Sequence, residues 1–133
     1  MTSSKPDTGS MKTHELYLTP VAKHRMTQSD KWNQRPEVVK YRRYCEALNL
    51  LCRTVDYRIP DVLSVTYVLP MPPSWGATKQ KAMLDQPHMQ RPDLSNLVKA
   101  FEDALCKNDE TIHTYVSVQK IWGTQGKIVL HID

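Results

Sequence analysis

The apolar positions of this chain keep two rhythms. Between residues 37 and 52, Val38, Tyr41, Cys45, Leu48 and Cys52 step by three and four, which marks one face of an α-helix. Lys40, Arg42 and Arg43 lie off that face. In RPDLSNLVKAFEDAL, residues 91 to 105, Leu94, Leu97, Val98, Phe101, Ala104 and Leu105 repeat the pattern. Pro92 discourages helix at the residue before it, and Asp93 follows as an N-cap. At 100° per residue, Ser95, Asn96, Lys99, Glu102 and Asp103 share the opposite side. Ser95 and Glu102 are nearly eclipsed, with Lys99 between them.

Elsewhere the period is two. From Ile59 to Leu69 a strand is predicted with Leu63, Val65, Tyr67 and Leu69 on one face, stopped by PMPPSW at 70 to 75. HELYL at 14 to 18 predicts a shorter strand. TIHTYVSVQKIW, 111 to 122, alternates Ile112, Thr114, Val116 and Val118, and KIVLHID, 127 to 133, alternates Ile128, Leu130 and Ile132. GTQG between them reads as a hairpin turn, so these two strands are expected to be antiparallel neighbours. GATKQKAMLDQPHMQ, 76 to 90, predicts a short helix or an ordered loop. The architecture expected is α+β: a flexible tail over 1–12, then one domain over 13–133. That domain is expected to be a mixed or antiparallel sheet of about four strands with helices packed on it.

Composition narrows the picture. A chain of 133 residues buries a real core. Its 18 basic and 14 acidic residues give a net charge of +4, which permits an anionic partner such as nucleic acid without demanding one. Cys45, Cys52 and Cys106 are odd in number and lack CxxC spacing, which points to a reducing, cytoplasmic setting. No apolar run reaches the ~18 residues a membrane span needs, and the mean hydropathy is −0.54. The segment from 20 to 36 gathers Lys23, His24, Arg25, Lys31 and Arg35 around Trp32 without a period. It reads either as a solvated loop or as an arm that contacts phosphates and stacks a base on its ring.

Acidic positions carry the candidate chemistry. Asp93 starts the second helix, Glu102 projects from it, and Asp109 and Glu110 precede the next strand. Carboxylates gathered in this way bind Mg2+ through oxygen, and Lys99 on the same face can offset charge on a phosphate. The plainer reading makes Asp93 a cap, Glu102 and Asp103 surface acids, and Asp109 and Glu110 turn residues. Spacing alone does not choose between them.

RPDLSNLVKAFEDAL followed by NDE is similar to the core of the RusA-type Holliday junction resolvases, endodeoxyribonucleases of bacteria, prophages and phages. Arg91, Asp93, Asn96, Leu97, Lys99, Asp103, Ala104 and Leu105 stand in the places of that family's motif. PVAKHR, PMPPSW and KIVLHID resemble its flanking segments. The resemblance implies a homodimer of small α+β subunits that binds four-way DNA and cuts it with paired, Mg2+-dependent nicks. Asp93 matches the first catalytic aspartate and Lys99 the catalytic lysine. The carboxylate ahead of the next strand matches Asp109 counting forward to Ile112, or Glu110 counting back from Lys120. Ser95 stands where the family has a second aspartate, and the link after Leu105 is shorter than usual. Glu102, two turns beyond Ser95 on the same face, is expected to supply the missing metal ligand. Ser95 and Asn96 are then expected to support the ligands, and Lys23, Arg25, Lys79, Lys81 and Arg91 to meet the DNA backbone. The alternative is a branched-DNA binder with an incomplete site.

Overall fold

The computed structural model describes residues 12–23, 36–58, 60–105 and 112–132. In chain order these form β1 (Lys12–Leu16), α1 (Pro36–Thr54), β2 (Val62–Pro70), α2 (Ala77–Met83), α3 (Leu94–Leu105), β3 (Thr114–Gly123) and β4 (Lys127–Ile132). The strands make one mixed sheet in the order β1-β4-β2-β3. The α+β architecture expected from the sequence is therefore present. Arg25, Cys106, Asp109 and Glu110 lie outside the described residues, as does Trp32.

Helix α1 begins on a proline, whose missing N–H leaves no bond unmade in a first turn. It buries Val38, Tyr41, Tyr44, Leu48 and Cys52. Tyr44 thus takes the stripe position expected for Cys45, which is half-buried beside it. The two helical stripes pack against each other and against one face of the sheet, where Leu63, Val65, Tyr67, Leu69, Ile128 and Leu130 meet them. Phe101 of α3 is fully buried, edge-on to Tyr57 at 6.3 Å and to Tyr67 at 6.4 Å. Such contacts add to the apolar area that each ring removes from water. Strand β2 lies between two neighbours, so Thr66 and Val68 on its other face are buried as well.

The expected hairpin is corrected by the sheet order. Strands β3 and β4 do run in opposite directions, but β2 lies between them, parallel to β3 and antiparallel to β4. The residues 124–126 carry the chain past the end of β2, across two strand spacings of roughly 4.8 Å each. The glycines of GTQG serve close approach rather than a two-strand turn. A Cβ on Gly126 would lie 2.7 Å from the Thr19 Cα, and one on Gly123 only 2.2 Å from the Val68 Cγ1.

A second departure is a bulge in β3. Leu63 pairs with Tyr115 and Ser64 with Ser117, so Val116 has no partner and stays 68% exposed. The extra residue switches parity: Tyr115 and Val118 both face the helices, and the regular alternation expected through Val116 fails. If Gly123 is small because Val68 presses on it, Gly123→Ala should destabilise by about 1–3 kcal/mol through overpacking. Urea unfolding of the Gly123→Ala, Val68→Ala double variant should then show less loss than the sum of the single variants. Strict additivity would contradict this crossing.

Candidate functional site

Helix α3 starts immediately after Asp93, whose carbonyl accepts from the amides of Asn96 at 3.1 Å and Leu97 at 3.2 Å. Asp93 therefore begins the helix through its main chain, while its side chain stays in an exposed position. Arg91, Pro92, Asp93 and Asn96 line a surface depression there. An exposed carboxylate, a guanidinium and the unpaired amides of a helix start are brought together at this point, a combination suited to cations and phosphates.

Beyond this start, the polar side of α3 divides into two flanks. On the α1 side, Asp103 accepts from the Tyr41 hydroxyl at 2.7 Å and from the Lys23 ammonium at 2.8 Å. The Lys23 amide also donates to the Asn96 carbonyl at 3.0 Å. Burial pulls the Asp103 carboxyl upward, but its bonds to Lys23 and Tyr41 outweigh this and hold it below the usual carboxylate range. On the β3 side, Glu102 accepts from the Tyr115 hydroxyl at 2.6 Å. Ser95 and Lys99 are exposed between the flanks, and among the described residues no carboxylate pairs with Lys99.

The segment leading into Asp93 is fastened to the free edge of β3. Asp85 takes the left-handed conformation, with φ 64°, and turns the chain out of α2. Its amide then donates to the Trp122 carbonyl, the Trp122 amide to Gln86 and the His88 amide to Lys120, each at 3.0 Å. The buried His88 ring lies tilted against Trp122 with centroids 4.0 Å apart, Trp75 tilts against Trp122 at 4.7 Å, and the Lys79 ammonium sits 4.5 Å from the Trp75 centroid. Burial, and then the charge of Lys120, hold the His88 imidazole below its usual value and favour the neutral ring. Lys120 itself donates to the carbonyls of Gln90 and Pro92. Neither Tyr115 nor Lys120 was singled out for the site from sequence. The signal available was a lysine at an inward position of a strand.

The expected metal ligands do not all converge. Glu102 stands nine residues beyond Asp93, roughly 13.5 Å along the helix axis and half a turn around it. A single ion with oxygen ligands at ~2.1 Å does not take both side chains across that separation. Among the described residues no group of three His, Cys, Asp or Glu side chains is placed to hold a metal ion. Of the expected DNA contacts, Arg91 is exposed at the depression, Lys79 and Lys81 are exposed on α2, and Lys23 is tied to Asp103.

The Asp103 cluster yields a pH test. Its folded carboxyl binds a proton more weakly than the unfolded one, so the stability it contributes is complete above the unfolded value of about 4. That stability is lost as pH falls through the lower, folded value. With the Asp103 side chain 41% exposed, screening limits the ion pair to about 1 kcal/mol or less. Asp103→Asn should therefore unfold at lower urea than wild type at pH 7, and the gap should close as pH falls through the lowered range of the folded carboxyl. A gap that persists below that range would contradict the assignment.

The family model described as Endodeoxyribonuclease RusA matches residues 18–133 of this chain. No curated protein matches it.

Proposed function

The chain belongs to the RusA family of endodeoxyribonucleases, hydrolases that act on DNA, and on that premise we propose that it resolves four-way junctions by paired, Mg2+-dependent nicks. We further propose that it does so as a homodimer in the cytoplasm. Among the described residues no helix is long and apolar enough to cross a membrane. The observation that carries the reading is the exposed Asp93 at the start of α3, beside Arg91 and within two turns of Lys99.

Mg2+ keeps several of its waters and is held through one or two carboxylates together with phosphate oxygens of a substrate. Asp93 fits that demand, and Asp109 or Glu110 is the proposed source of a second carboxylate. Held there, such an ion would supply positive charge that polarises a phosphodiester and lowers the pKa of a bound water. Arg91 grips an adjacent phosphate, and Lys99 offsets the charge that develops on the oxygens in flight. Ser95 and Asn96 support the helix start. Arg25, Lys79 and Lys81 meet the DNA backbone and position it without reading sequence. Lys23 is held by Asp103 of α3. Glu102, bonded to Tyr115 at the far end of the helix, acts apart from the ion. This departs from the role that the sequence suggested for it.

A second reading rests on Ser95, which brings no carboxylate to the helix: a protein that binds branched DNA without cutting it. Cleavage of a synthetic mobile four-way junction, with and without Mg2+, separates the two. Wild type should give paired nicks with Mg2+ only. Asp93→Asn should lose roughly a hundredfold or more in rate, whereas Glu102→Gln should lose less than about tenfold. Equal losses would put Glu102 in the same metal centre. Tight binding with no cleavage by wild type would establish the second reading.

A further inference from the structure

Position 120 breaks the pattern of its own strand. Lys120 pairs with Tyr67, on the helix-facing side of β3, between the core-packed Val118 and Trp122, which is 4% exposed. An apolar side chain at this point would serve the sheet. Instead a half-buried ammonium lies there, and among the described residues no carboxylate pairs with it. It is satisfied by two main-chain oxygens: it donates to Gln90 and, at 2.5 Å, to Pro92. Burying an ammonium is unfavourable unless its hydrogen bonds are made, and a charged donor forms stronger bonds than a neutral one.

Those two carbonyls belong to the residue before Arg91 and the residue before Asp93. The main-chain bonds of Asp85, Gln86 and His88 fasten the preceding segment to β3, but they stop at His88. Met89, Gln90, Arg91 and Asp93 are exposed, so the last stretch into the helix has little packing to fix it. Lys120 extends the attachment over that stretch, from a rigid strand to both sides of Arg91. A local rule is broken at the place where the site needs a fixed approach.

We propose that Lys120 is a positioning residue, whose ammonium fixes the 90–92 backbone and thereby sets the Asp93 carboxylate and the Arg91 guanidinium. The purpose given to this tether rests on the reading of Asp93 as a metal ligand; the tether itself does not. Lys120→Met keeps the aliphatic stem and removes the donors, and Lys120→Arg keeps donors. Three quantities are measured on the full chain: amide exchange over 88–93 against that over α1, Mn2+ affinity by electron paramagnetic resonance, and the Mg2+ concentration at half-maximal junction cleavage.

In Lys120→Met, exchange over 88–93 should rise with α1 unchanged. Mn2+ affinity should fall by roughly tenfold or more, with a matching rise in the Mg2+ requirement. Lys120→Arg should recover part of each. Unchanged exchange and metal affinity in Lys120→Met would overturn the proposal. Exchange that rises equally in α1 would do the same, because it would show a general loss of stability. If wild type binds no Mn2+ and cuts no junction, the metal-site reading fails, and the exchange data still decide whether the tether exists.

Discussion

The seating of α3 on the sheet governs the rest of the molecule. Phe101 enters the core between Tyr57 and Tyr67, and Leu97, Val98 and Ala100 are buried with it. Removing an aromatic side chain of this kind from a core typically costs about 3–5 kcal/mol, so the helix has little freedom to roll. With the apolar stripe fixed, the polar side has to face outward in one orientation. Asp103 then meets Tyr41 on the α1 flank, Glu102 meets Tyr115 on the β3 flank, and Lys99 stays exposed between them.

Strand β3 supplies the other half of the frame. It is an edge strand, parallel to β2, and the segment from Asp85 to His88 covers part of its free edge. Its bulge at Val116 lets Tyr115 and Lys120 face the helix layer together despite their odd and even positions. One strand therefore addresses both ends of α3: Tyr115 reaches Glu102, and Lys120 reaches the approach to Asp93. Family membership assigns an endodeoxyribonuclease chemistry to this frame, and the frame holds the exposed Asp93 at the start of α3.

Much of this was legible in the sequence because it depends on local periodicity. The parity of Leu63, Val65, Tyr67 and Leu69 and the stripe from Leu94 to Leu105 follow from how side chains project from strands and helices. Strand order was not legible. A short GTQG link suits a hairpin, and only the long-range pairing of β2 with both β3 and β4 excludes one. The bulge was hidden for a related reason, since Val116 continues an apolar alternation and its exposure depends on the partner strand. At 100° per residue Ser95 and Glu102 are nearly eclipsed on α3. It does not follow that Glu102 reaches Asp93, because angular alignment says nothing about the rise along the axis. Lys120 was visible as a lysine in a strand, but its partners are the carbonyls of a loop 28 to 30 residues away.

The central claim is that the metal centre lies at the start of α3, on Asp93. It is tested most directly by soaking crystals in Mn2+ and locating the ion from its anomalous scattering. The account predicts a peak within bonding distance of the Asp93 carboxylate. A peak at Glu102 and Tyr115 with none at Asp93 would contradict it.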